Sequence, residues 1–286
     1  MPTTLIEPQA LAAQLANPHW VVIDCRFDLQ QPAWGRAAWR QNHIPQALYA
    51  DLDQDLSGAR GPGTGRHPLP PPQALAATFS RWGIDARVQV VAYDQGPGMY
   101  AARLWWLLRW LGHESVAVLN GGLAAWERAG LPLSAESAAR TARTFVARVH
   151  PGMTVSGAQV AAALHSGALE RGATVLVDAR GADRFAGQHE TLDPVAGHIP
   201  GARNHPFAGN QGADGRFLEA AQLRGRWEAT LAGASASQVV AMCGSGVTAC
   251  HNLLALEVAG LPGARLYGGS WSEWITDPAH PVARGT

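Results

Sequence analysis

Short β-branched, apolar runs recur along the chain, each closing on turn residues and each followed by apolar positions at helical spacing. In the second half this pattern predicts strands at Val175–Val177, Val239–Ala241 and Ala264–Leu266. It predicts helices at Ser156–Leu164, Leu218–Leu231, Val247–Ala259 and Trp271–Ile275. Strand and helix alternate, which is the signature of an α/β fold with a parallel sheet flanked by helices. The longest apolar stretch, Met99 to Leu111, is interrupted by Arg103 and Arg109 and is too short to cross a bilayer, so it reads as a buried helix with Trp105, Trp106 and Trp110 in a core. Ser57–Pro72 holds five Pro and four Gly and has neither period. An irregular excursion of the first half toward the second is expected there.

The pattern also repeats itself. Val21-Val22-Ile23-Asp24-Cys25-Arg26 matches Val175-Leu176-Val177-Asp178-Ala179-Arg180, and His43-Ile44-Pro45 matches His198-Ile199-Pro200. Val90-Val91-Ala92-Tyr93-Asp94 matches Val239-Val240-Ala241-Met242-Cys243. Leu119-Asn120-Gly121-Gly122 through Trp126 matches Leu266-Tyr267-Gly268-Gly269 through Trp274. The order is the same in both halves, and a period of about 150 residues is the size of a whole domain, which points to duplication. Two domains are expected at 1–135 and 154–286. The intervening 136–153, rich in Ala, Ser, Thr and Arg and ending near Pro151-Gly152, reads as a linker.

Composition narrows the function classes. Lys plus Arg and Asp plus Glu are both 22, so the formal charge is zero and a polyanion such as nucleic acid is not an expected partner. The three cysteines are an odd number, and the first residues have neither a basic nor an apolar leader pattern. A reducing cytoplasm and no membrane partner are the expectation.

The chemistry concentrates in Cys243-Gly244-Ser245-Gly246-Val247-Thr248. An apolar strand delivers one cysteine into a glycine-bracketed turn before a helix, and converging amides with a helix start stabilise a thiolate. The first half has Asp94 at the matching position. A carboxylate cannot carry a sulfane sulfur, so that half is expected to be catalytically silent. Cys250 and His251 follow on the next helix without a tetrahedral ligand set, so no metal is expected. Cys25 reads as a small core residue.

Asp-x-Arg after a strand, Gly-His-Ile-Pro-Gly-Ala, the cysteine loop and the terminal Gly-Ser-Trp-x-Glu-Trp together resemble the tandem rhodanese sulfurtransferases over nearly the whole chain. The resemblance implies two tandem rhodanese-like domains. It implies an enzyme that moves a sulfane sulfur through a persulfide on Cys243, without cofactor or metal, to a thiol, cyanide or thioredoxin-type acceptor. Gly244 and Ser245 are neutral, as in the loops of members that use 3-mercaptopyruvate. Members that prefer thiosulfate carry cations there, which leaves thiosulfate:cyanide transfer as the alternative. Arg184, in Arg180-Gly181-Ala182-Asp183-Arg184, matches the substrate arginine, and its fork suits a carboxylate. A second arginine nine positions later is replaced by Asp193, which leaves Arg60 or Arg66 as sources of that charge. Gly244, Ser245, Gly246, Val247 and Thr248 are expected to meet the substrate, with Thr248 also capping the loop or helix start. His43 is a further candidate, although its counterpart His198 argues for a shared structural job. A rhodanese-like phosphatase would need an arginine at position 249, which is Ala, and a non-catalytic binding module would not need Cys243.

Overall fold

In the computed structural model, which describes residues 1–285, the apolar runs become parallel strands. The chain forms two units. The first comprises 1–58, 70–150 and 211–217, and the second 59–69, 151–210 and 218–286.

The first unit runs β1 (Leu5–Ile6), α1 (Pro8–Ala12), β2 (Trp20–Asp24), α2 (Trp34–Gln41), β3 (Leu48–Tyr49), α3 (Pro72–Arg81), β4 (Gln89–Tyr93), α4 (Met99–Trp110), β5 (Val116–Leu119) and α5 (Gly122–Arg128). Its sheet order is β1-β5-β4-β2-β3, all parallel. Val91 and Tyr93 of β4 pack with Ile6, Leu11, Val22 and Trp126 in one apolar core. α4 is buried as its pattern predicts. Trp105 and Trp106 are enclosed, and even Arg103 is fully covered. Cys25 is also buried, and burial pushes its thiol well up, as befits a core residue.

The second unit runs α6 (Gly157–His165), β6 (Val175–Asp178), α7 (Ala182–Phe185), β7 (Arg203–Asn204), α8 (Ala220–Leu231), β8 (Val239–Met242), α9 (Thr248–Val258), β9 (Arg265–Leu266) and α10 (Ser270–Trp274). The order β7-β6-β8-β9 reproduces the first sheet, and Thr154 bridges in parallel to Leu266 where β1 borders β5. Element ends differ from the sequence pattern by a residue or two, the usual fraying of boundaries. Val240, Met242, Trp271 and Trp274 share the core of this unit.

Two segments depart from simple halves. Residues 59–69 lack helix and strand and pack with the second unit. The Arg66 amide donates to Ser272 Oγ at 2.9 Å, and a Cβ on Gly65 would stand 2.5 Å from the Gly269 carbonyl oxygen. The stretch approaching residue 150 is strapped to the first unit. The amides of Arg143, Arg148 and His150 donate to the carbonyls of Ser80, Leu111 and Trp110 at 2.9–3.0 Å.

Candidate active site

Strand β8 is flanked by β6 and β9, so its carboxyl end opens at the middle of the sheet, where ligands of parallel α/β sheets sit. The four residues of β8 are buried, and the chain leaves it directly into Cys243. Main-chain bonds fix the turn: Trp271 and Ser272 donate to the carbonyls of Cys243 and Gly244 at 3.0 and 2.8 Å. Gly246 has φ +77°, and a Cβ there would lie 2.3 Å from the Gly268 carbonyl oxygen, so this position admits only glycine. The Gly246 amide in turn donates to Cys243 Sγ at 3.1 Å.

Ser270 completes the cradle. Its Oγ accepts the Cys243 amide at 3.1 Å and donates to the Tyr267 carbonyl at 2.9 Å, while its own φ of +56° is unusual for a residue with a side chain. A strained, fully buried serine holding the Cys243 amide is the kind of outlier that clusters at functional sites. Thr248 opens α9 but makes no capping bond. The cap position is Val247, in helical conformation, so the expected capping role is not observed: the turn is already tied by Gly246 and by α10.

Cations come from outside the loop. A Cβ on Gly244 would stand 3.1 Å from Nη2 of Arg66 and 3.6 and 3.8 Å from Nη2 and Nη1 of Arg184, so both guanidinium groups lie over the main chain beside Cys243. Arg184 makes a fork contact to Glu190 at 2.8–3.2 Å and reaches Asp193 Oδ2 at 3.1 Å. Arg66 Nη1 meets Asp193 Oδ1 at 2.5 Å. Burial pushes the Glu190 carboxyl up, but the Arg184 bonds and the amides of Leu192 and Asp193 outweigh it and hold the group below its usual range. Arg60 is exposed on the same segment and is not among the atoms nearest Gly244.

Two struts set the neighbouring turns. Arg180 is buried and forked onto Asp178, donates to the Gly197 carbonyl at 2.8 Å and lies 4.8 Å over the Trp271 ring. Arg26 and Asp24 repeat this arrangement in the first unit. His43 has Nδ1 on the Trp39 carbonyl at 2.7 Å and Nε2 on the Glu136 carbonyl at 3.0 Å. His198 has Nδ1 on the Phe185 carbonyl at 2.8 Å. Each also pairs its backbone with a later segment of its unit, at Ser134 and Ala283 respectively. Each histidine ties its Ile-Pro turn to another segment of its own unit, and both ring nitrogens of His43 face main-chain carbonyls.

The sequence did not single out His67. It is buried next to Arg66, with Nδ1 2.7 Å from Ser245 Oγ, which is itself buried. Its only signal is a histidine in a Pro/Gly-rich segment otherwise poor in chemistry.

The rhodanese-like domain family matches residues 7–129 and 161–277. A Pseudomonas aeruginosa protein described as "Probable 3-mercaptopyruvate sulfurtransferase" is 50% identical, over 98% of each chain. A Mycobacterium tuberculosis protein with a provisional thiosulfate sulfurtransferase description is 39% identical, over 93% of this chain and 91% of its own. The crystal structure of SseA from Escherichia coli, described as a 3-mercaptopyruvate sulfotransferase of rhodanese fold, superposes with a TM-score of 0.81 at 32% identity. It covers 95% of this chain and all of its own. The chain belongs to the rhodanese-like family and carries two copies of its domain.

Proposed function

We propose that this chain transfers a sulfane sulfur from 3-mercaptopyruvate to a thiol or cyanide acceptor through a persulfide on Cys243. The observation that carries this reading is the convergence on one strand end of a cysteine sulfur held by a loop amide and two guanidinium groups lying over the next residue. The relatives named for the same donor support it. Arg184 Nη1 and Arg66 Nη2 lie near Gly244 and are not the atoms bonded to Glu190 or Asp193, so they suit the donor's carboxylate.

The Cys243 thiolate attacks the donor sulfur, an S–S bond forms and the C–S bond breaks. The electron pair goes to the three-carbon fragment as an enolate, which takes one proton to become pyruvate, and the protein keeps Cys243–S–SH. Ser245 stands beside this carbon skeleton. When His67 Nδ1 carries its proton toward Ser245 Oγ, the serine O–H is free to point at the developing oxyanion. An acceptor thiol or cyanide then attacks the outer sulfur and returns the thiolate; a thioredoxin-type dithiol is one such acceptor. The first domain, with Asp94 in place of the cysteine, takes no sulfur. Three free, buried cysteines fit a reducing cytoplasm, and among the described residues no helix is long and apolar enough to cross a membrane.

Thiosulfate as donor is the second reading. The same two guanidinium groups can donate to its anionic oxygens, and the Mycobacterium tuberculosis relative is described for that donor. Intact-mass measurement after donor treatment tests the shared core of both readings. The wild type should gain one sulfur, Cys243→Ser should gain none and turn over nothing, and Cys25→Ser and Cys250→Ser should behave as wild type. Sulfur mapped to another cysteine would refute the assignment.

A further inference from the structure

Asp193 divides its two oxygens between the two cations of the site. Oδ1 meets Arg66 Nη1 at 2.5 Å and Oδ2 meets Arg184 Nη2 at 3.1 Å, with the carboxylate side chain only 2% exposed. Arg66 needs such a partner because it arrives on an irregular segment with no helix or strand to orient it. Its Nε is buried and has no hydrogen-bond partner among the described residues, so the guanidinium is not saturated by the protein. A buried donor of this kind is costly unless something accepts from it.

The local charges are also informative. Arg66, Arg180 and Arg184 bring three positive charges, and Asp178, Glu190 and Asp193 bring three negative ones, all joined by contacts of 3.5 Å or less. The network around the loop is therefore neutral although two guanidinium groups cover Gly244. Without Asp193 it would carry one net positive charge, and buried or half-buried charges are poorly screened. An anion with one charge needs little more than directed donors. A dianion of similar size loses more hydration on entry and gains more from any net positive charge.

Resting on the sulfur transfer proposed above, we infer that Asp193 is a specificity-determining residue. It locks Arg66 and Arg184 into one carboxylate-sized receptor and cancels one of their charges, which favours a monoanionic 2-oxo acid thiol over the dianion thiosulfate. Asp193 touches the two arginines rather than the donor, so it acts through them.

The test compares kcat/KM for 3-mercaptopyruvate and thiosulfate at one acceptor concentration and fixed ionic strength. Asp193→Asn keeps the shape and removes the charge. It should raise the thiosulfate-to-mercaptopyruvate ratio by about tenfold or more, chiefly through KM for thiosulfate, and the gain should shrink with added salt. Asp193→Glu, which keeps the charge, should leave the ratio closer to wild type, and Arg66→Gln should move it the other way. An unchanged ratio in folded Asp193→Asn, or an equal loss with both donors, would make Asp193 a mere anchor and overturn the inference. If Asp193→Asn does not fold, an unmoved ratio in Arg66→Gln overturns it instead. A wild type that forms no persulfide with either donor defeats the proposed function itself, which is a different result.

Discussion

The two strand-end loops of this chain solve the same electrostatic problem in opposite ways. In the first domain Asp94 leaves β4 and its carboxylate takes four loop and helix-start amides: Gly96 at 3.1 Å, Gly98 at 2.9 Å, Tyr100 at 3.0 Å and Ala101 at 3.3 Å. Burial pushes this carboxyl up, against the pull of those four donors. In the second domain Cys243 leaves β8, and its sulfur takes the Gly246 amide. The amides of Gly244, Ser245, Val247 and Thr248 have no protein acceptor among the described residues. One loop is an anion nest filled by its own chain; the other keeps donors for charge that arrives with the chemistry. The difference teaches that the proposed silence of the first domain has two causes. The nucleophile is absent, and the donors that would serve a substrate are already spent.

The largest expected effect breaks the open loop. Gly246→Ala places a methyl group 2.3 Å from the Gly268 carbonyl oxygen at a φ of +77°. It should cost the second domain about 2–4 kcal/mol and lower persulfide formation at least about a hundredfold, read by urea unfolding and single-turnover mass spectrometry. A normal rate would show that the amide on the sulfur is incidental.

The converse change empties the filled loop. Asp94→Ala leaves buried amides without an acceptor and should destabilise the first domain by about 2–3 kcal/mol in denaturant unfolding. Asp94→Cys should gain no sulfur, because the residue three positions on is Pro97, which has no N–H to give, where Gly246 has one. Sulfur on residue 94 would dissolve the contrast between the loops.

A smaller effect is expected at Ser270. Ser270→Ala removes the acceptor of the Cys243 amide and should cost about 1–2 kcal/mol, with kcat/KM reduced about tenfold. Ser270→Gly, which relieves the positive φ but still lacks the hydroxyl, separates strain from hydrogen bonding: if it retains full activity, the hydroxyl is dispensable.

Proton binding gives the mildest test and can be read domain by domain. Burial lowers the affinity of His113 in the first domain and His205 in the second for a proton. His205 is stacked 3.8 Å from Trp227 and bonded to Thr230 and Asn210. The unfolded chain binds the extra proton more readily, so this stability is present above about pH 6.5 and is lost as pH falls below it toward the folded value. Melting temperatures should drop through that window, and His205→Gln should flatten the second domain's share. An unchanged slope in the variant would assign the loss to other groups.

The repeat, the sheet class and Cys243 were legible in the sequence because each depends on local pattern: apolar runs, turn glycines and one cysteine between them. Arg184 was singled out through the resemblance, because Arg180-Gly181-Ala182-Asp183-Arg184 matches the spacing seen in the tandem rhodanese sulfurtransferases. Arg66 stood only as one option with Arg60, and His67 was missed, because Ser57–Pro72 has no periodicity from which a direction can be inferred. Asp193 read as a missing cation. Only the fold reveals that its carboxylate joins two cations from segments 127 and 9 residues away. Ser270 was hidden in a motif whose glycines drew attention to the turn, while its own left-handed backbone left no mark in the sequence.

Residues 59–69 carry a consequence for inheritance. Arg66 and His67 are encoded in the first copy of the duplicated gene yet fold with the second. A deletion that discarded the first copy would remove them, and the remaining chain from residue 151 would keep Cys243 and Ser245 without Arg66 and His67. Under the proposed function, a second domain that relies on this borrowed segment makes the first copy indispensable even though position 94 is Asp.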